Sequence, residues 1–166
     1  MNILYPHRVY NRVIDIPVKY LSDNHIKGVI LDIDNTLTTH DNPVPSKGVL
    51  EWLNGLEAAG IQKIALSNNH VERVEPFAEI LGLRYIANGM KPLPIGYLRC
   101  LKAMRLRPKH VAVVGDQIFT DILGGRCLGM LSIMVEPIEP EAKPFFKLKR
   151  KFERSLLKKY DRQFGR

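Results

Sequence analysis

Two aspartates two positions apart, Asp32 and Asp34, close the apolar run Gly28-Val-Ile-Leu-Asp-Ile-Asp34, and Asn35 and Thr36 follow directly. Strand alternation puts Asp32 and Asp34 on one side and Ile33 on the other. Neighbouring carboxylates repel, and they tolerate the closeness best around a cation. Hard oxygen ligands of this kind suit Mg²⁺. A second pair of acids follows another apolar run, His110-Val-Ala-Val-Val-Gly-Asp116, with Asp121 about one helical turn later. Ser67-Asn68-Asn69 ends a third run, and Lys91 lies on a loop further on. These residue types compose a phosphoryl-transfer site. Acids hold a metal that neutralises phosphate oxygens. A hydroxyl, backbone N–H groups at a helix start and an ammonium hold the remaining oxygens. One carboxylate can attack phosphorus and the other can move the proton.

The elements that must position these residues alternate along the chain. Short apolar runs at 28–34, 61–67, 84–87, 110–116 and 131–135 are separated by helical patterns at about 46–59, 70–81, 93–104 and 119–128. That order predicts an α/β fold with a central parallel sheet and helices on both faces, its ligand site beyond the C-terminal strand ends. Ser46 is expected to cap the first of these helices and Gly60 to end it. Asn69 and Glu72 resemble a capping box. Pro76 is expected to split its helix in two. Val13–Leu21 reads as a short amphipathic helix interrupted by Pro17. Gly124-Gly125 reads as a close-packing site, Trp52 as core, and Cys100 and Cys127 as small buried thiols of a reducing compartment.

DxDxT at Asp32–Thr36, Ser67 at the second strand end, Lys91, and Asp116 with Asp121 stand in the order of the four motifs of the haloacid dehalogenase (HAD) superfamily, whose Rossmann-like fold the chain is expected to share. More narrowly, LDIDNTL, LSNN, the Lys-Pro after Asn88 and GDQIFTD resemble the YqeG family of class III HAD phosphatases, itself similar to mitochondrial phosphatidylglycerophosphate phosphatases. The resemblance implies Asp32 as nucleophile and Mg²⁺ ligand, and Asp34 as general acid and base with its backbone carbonyl on the metal. It further implies Thr36 as support for that loop, Ser67 and the backbone at Asn68 on the phosphoryl group, Lys91 neutralising charge, and Asp116 and Asp121 at the metal. Only 33 positions separate Asp34 from Ser67, and 49 separate Ser67 from Asp116, each span filled by the elements above. No room remains for a cap domain, so an open site and a large or surface-bound phosphorylated substrate are expected.

The formal charge of +8 lies entirely in residues 143–166, which carry ten Lys or Arg against Glu153 and Asp161; the other 142 residues balance at 15 and 15. The reading is therefore a phosphatase domain at 1–142 and a basic amphipathic C-terminal helix at 143–166, opened by Pro144. Its apolar stripe is expected to be Phe145, Leu148, Phe152, Leu156 and Tyr160. Such a helix either packs its stripe on the domain with its charges outward or makes peripheral contact with an anionic membrane, and a lipid headgroup phosphate is the substrate expectation, phosphatidylglycerophosphate above all. The alternative is a non-enzymatic module that binds RNA or a ribosome through the basic tail, with nucleic acid the lesser expectation. No apolar run approaches the roughly 18 residues needed to span a bilayer and the N-terminus has no signal-like core, so the expected location is cytoplasmic, peripheral to the inner membrane face.

Overall fold

The computed structural model describes residues 2–40, 42–140 and 144–164. Six strands form one parallel sheet: β1 (Arg8–Tyr10), β2 (Gly28–Leu31), β3 (Gln62–Leu66), β4 (Arg84–Ile86), β5 (Val111–Gly115) and β6 (Leu131–Val135), in the order β1-β6-β5-β2-β3-β4. The chain runs outward from β2 to β4, then returns to the other side of β2 for β5. That reversal opens a crevice at the C-terminal ends of β2 and β5, where ligands settle in doubly wound sheets.

The helices are α1 (Val18–Asp23), α2 (Val49–Ala58), α3 (Val71–Ile80), α4 (Pro94–Met104), α5 (Leu123–Cys127) and α6 (Pro144–Phe164). Strand side chains alternate between two layers. Val29, Leu31, Ala65, Ala112, Val114 and Ile133 pack with α2 and α3, while Ile30, Ile64, Leu66, Val111 and Val113 pack with α4. A third cluster, Ile118, Ile122 and Met134, receives Leu156 and Leu157 of α6 beside Val9 of β1. Gly124 and Gly125 let α5 close on its neighbours. A Cβ at Gly124 would lie 2.4 Å from the Tyr97 ring, and one at Gly125 would lie 2.1 Å from Val113.

Several expectations need correction. Helix α2 starts at Val49 with Gly48 as its cap at φ 86°, and Ser46 contributes only its carbonyl, which accepts from Val49 N–H. Helix α3 runs unbroken through Pro76. One lost backbone bond is offset there by burial of Val74, Phe77 and Ala78 on either side of the proline. His70 caps α3, and Asn69 is drawn elsewhere. Val13–Leu21 divides at Pro17 into a 3₁₀ turn, Val13–Asp15, and α1. The 119–128 helix begins as a π-turn, Ile118–Ile122, before α5. Trp52 is core, and its indole N–H donates to the Ile16 carbonyl at 2.9 Å. Cys100 is buried, whereas Cys127 is exposed because it falls on the outward side of α5.

Helix α6 opens at Pro144 as expected, but it packs only the later part of the expected stripe, Leu156 and Tyr160, on the domain. Tyr160, Arg150 and Glu153 are buried and Leu156 and Leu157 half-buried, while Leu148 and Phe152 stand 56% and 60% exposed. Two charged residues displaced apolar ones because their partners lie in the crevice described next. The Phe145 side chain and the proposed boundary at 142/143 fall outside the described residues.

Candidate active site

Strand β2 ends at Leu31, so Asp32 is the first residue beyond the sheet, its N–H still bonded to Val114 O of β5 at 2.9 Å. That register sets Asp32 beside Asp116, the first residue after β5. The chain then turns tightly: Asn35 takes φ 63°, its N–H donates to Thr38 O at 2.7 Å, and Leu37 N–H donates to Ile33 O at 2.9 Å. Thr36 hydroxyl donates to Asp32 Oδ2 at 3.2 Å.

Asp121 arrives from the π-turn, a local widening of the helix that often marks functional sites. Its Oδ2 accepts from Gln117 N–H at 3.2 Å and from the Thr120 hydroxyl at 3.3 Å. Gly115 is required here, since a Cβ at that position would lie 2.3 Å from the Asp121 carboxyl carbon. Lys91, buried, joins the set through Nζ, 2.5 Å from Asp32 Oδ1 and 2.7 Å from Asp121 Oδ1. Its loop is pinned by the Asn68 side chain, which accepts from Lys91 N–H at 2.7 Å and donates to Lys91 O at 3.1 Å. Ser67 is buried at the end of β3, its hydroxyl accepting from Asn69 N–H at 3.1 Å.

Carboxylate oxygens of Asp32, Asp116 and Asp121 lie within 4.8 Å of one another. Burial drives the Asp116 carboxyl well above its ordinary range; Arg150 opposes the rise and the charges of Asp32 and Asp121 add to it. Burial also raises Asp121, against the pull of Lys91. Burial by itself would depress Lys91, but the Asp121 and Asp32 carboxylates outweigh it and keep the ammonium charged. Asp116 Oδ1 is buried with no hydrogen-bond partner among the described residues. An orphaned carboxylate oxygen beside two further carboxylates fits a hard divalent cation such as Mg²⁺, which takes oxygen ligands of this kind.

Asp34 stands apart from that cluster. Its Oδ2 accepts from the Asn69 amide and its Oδ1 from Arg73, both at 2.7 Å. Its carboxylate is thus outside the metal set, which leaves its carbonyl as the atom the resemblance would put on a cation. Three residues of the site escaped the sequence reading, Arg73, Arg150 and Glu153, and Asn69, expected as a helix cap, instead holds Asp34. Arg150 Nη2 bonds Asp116 Oδ2, and Nη1 donates to the Asp116 carbonyl at 2.5 Å and to Glu153 Oε2 at 3.1 Å. Arg73 follows Asn69 at helical spacing, a signal available in the sequence; nothing local flags Arg150.

A sequence model of the haloacid dehalogenase-like hydrolases matches residues 39–129. The "Probable phosphatase YqeG" of Bacillus subtilis is 32% identical over 152 residues, 92% of this chain and 88% of that protein. The chain belongs to the haloacid dehalogenase-like hydrolases. Within them it is a YqeG-type HAD phosphatase. A model for mitochondrial phosphatidylglycerophosphate phosphatases matches residues 1–75. The "Phosphatidylglycerophosphate phosphatase 1, chloroplastic/mitochondrial" of Arabidopsis thaliana is 27% identical across 95% of this chain, which spans 48% of that protein. Among solved structures, a HAD-superfamily hydrolase from Ehrlichia chaffeensis superposes with a TM-score of 0.61 at 19% identity, covering 80% of this chain and 98% of that one, a likeness of fold.

Proposed function

We propose that this phosphatase works through an aspartyl-phosphate at Asp32, and that its substrate is a lipid phosphomonoester, phosphatidylglycerophosphate in particular. The observation that carries the mechanism is the Asp32 carboxylate, held at one oxygen by Lys91 and at the other by Thr36, inside the three-carboxylate cluster. Asp32 attacks phosphorus as the bond to the leaving ester oxygen breaks, and Asp34 gives that oxygen its proton. Asp34 then takes a proton from water, the hydroxyl attacks the aspartyl-phosphate at phosphorus, and Asp32 leaves as a carboxylate. Lys91, the Ser67 hydroxyl and backbone N–H groups at Asn68 hold the transferring oxygens. Asp32, Asp116, Asp121 and the Asp34 carbonyl would hold Mg²⁺, which supplies charge neutralisation at phosphorus.

The substrate class is supported by three features. Among the described residues no cap domain covers the crevice. The matched phosphatidylglycerophosphate phosphatase model and the plant relative name such a lipid. A groove of about 670 Å³ also runs between α6 and residues 136–140, with Val9, Met134 and Leu157 along it and Lys147 and Arg154 among its cations. It is joined to the site through Arg150 and through Ile138, whose N–H donates to Asn35 O at 3.3 Å. Exposed Leu148 and Phe152, with exposed Lys147 and Lys151 near them, would make a peripheral contact with an anionic membrane face. No helix among the described residues is long and apolar enough to cross a membrane.

The test is a panel with Mg²⁺: short-chain phosphatidylglycerophosphate, nucleotides, sugar phosphates and phosphopeptides. The lipid should show the highest kcat/KM. Faster turnover of a soluble ester would sink the substrate reading alone. Inactivity on the whole panel would sink the mechanism as well.

A further inference from the structure

We infer that Arg150, with Glu153 behind it, is a positioning residue for the metal site, so that helix α6 is a working part of the active centre. This rests on the metal reading of the cluster given above. Arg150 is buried, and its planar guanidinium spans two acceptors of one residue, the carbonyl and Oδ2 of Asp116. A carboxylate on a single-bonded stem otherwise turns through a broad range. Fixing the carbonyl and one oxygen leaves Asp116 Oδ1, buried and without a partner among the described residues, as the ligand atom that Asp116 has to offer. Glu153, one turn along α6, completes the device. Its Oε2 accepts from Arg150, and its Oε1 accepts from Ile118 N–H at 2.8 Å and Phe119 N–H at 3.4 Å, the start of the π-turn that carries Asp121. One ion pair therefore tethers both the Asp116 ligand and the turn that presents the Asp121 ligand. Hydrogen-bonding partners behind metal ligands govern metal affinity in this way, and losing one typically costs about 10–100-fold.

A competing effect has the opposite sign. A cation beside a cation site repels the metal, so its removal would tighten binding. Here Arg150 is paired with Glu153, and the two together bring no net charge. Removing both changes no net charge, so the repulsion relieved is only that of the pair's positive end, and loss of the tether is the larger effect.

The measurement is Mn²⁺ affinity by electron paramagnetic resonance on the full chain, with no substrate present. Arg150→Gln/Glu153→Gln should bind Mn²⁺ about tenfold or more weakly than wild type, and its activity on a small phosphate ester should need correspondingly more metal to reach half its maximum. Arg150→Lys keeps the charge and disturbs packing least, but a point charge cannot bridge two acceptors, so it should fall between. Unchanged or tighter Mn²⁺ binding in Arg150→Lys, or in a folded double variant, overturns the inference while leaving the cluster reading intact. A wild-type chain that binds no Mn²⁺ overturns the cluster reading itself, and this inference with it.

Discussion

Lys91→Met replaces the buried ammonium with an apolar chain of similar length and leaves Asp32 and Asp121 without their shared counter-ion. The two contacts are 2.5 Å and 2.7 Å. At an effective dielectric of about 20, each is worth roughly 6 kcal/mol by Coulomb's law, against a desolvation cost of several kcal/mol for burying the ammonium. Removal of one partner from such a buried set costs about 3–5 kcal/mol. For a chain of this size about 2–4 °C of melting temperature accompanies each kcal/mol, so the metal-free variant should melt roughly 6–20 °C below wild type in chelator. Divalent cation should then stabilise the variant more than it stabilises wild type, because the carboxylates it meets are less compensated; at about 100 times Kd a bound ion adds about 2.7 kcal/mol. Thermal melts of both proteins, with chelator and with Mg²⁺, give all four values. A variant that melts within about 2 °C of wild type in chelator would refute the claim that Lys91 holds these carboxylates together.

Other perturbations follow from single contacts. Gly124→Ala forces a Cβ into the Tyr97 ring and should destabilise the fold by about 1–3 kcal/mol in a denaturant melt, despite the better helix propensity of alanine. Arg73→Ala frees Asp34 and should lower kcat on a small ester about tenfold or more, up to the roughly 10²–10⁴-fold that a placed proton-transfer group supplies, while Mn²⁺ affinity does not weaken. His7 joins β1 to Ser132 of β6. Burial, then Arg126 and Arg8, hold its pKa below the ordinary 6.5, so the unfolded chain takes up this proton first. Stability should therefore decline as pH falls below 6.5, and His7→Gln should lose less between about pH 7.5 and about pH 5.5 in urea melts.

What was legible in the sequence is what a strand end makes local. Asp32, Ser67 and Asp116 each follow a short apolar run, and the observed strands lie inside those runs, so fold and cluster could be read together. Strand β1 was not readable, because three half-exposed residues at a sheet edge carry no periodic signal. The unbroken α3 was missed because packing on both sides of Pro76 outweighs its one lost backbone bond. The π-turn was missed because helical spacing does not distinguish it from an ordinary first turn. Helix α6 failed for a more instructive reason. Its strongest apolar stripe includes Leu148 and Phe152, yet the fold buries Arg150 and Glu153, since their partners Asp116, Ile118 and Phe119 lie more than thirty positions earlier in the chain. Amphipathic patterning ranks faces by hydrophobicity and has no means to see a buried ion pair that a distant carboxylate requires.

The central claim is that Asp32 carries the phosphoryl group, and the direct measurement is to trap it. With a phosphate-labelled substrate and Mg²⁺, rapid acid quenching in the first turnover should leave acid-stable, hydroxylamine-labile label on the protein, as an acyl phosphate requires. Borohydride reduction should convert Asp32 to homoserine in the corresponding peptide, and Asp32→Asn should show neither label nor turnover. Full product release from an enzyme that never becomes labelled, or label mapped to any carboxylate other than Asp32, would contradict the account.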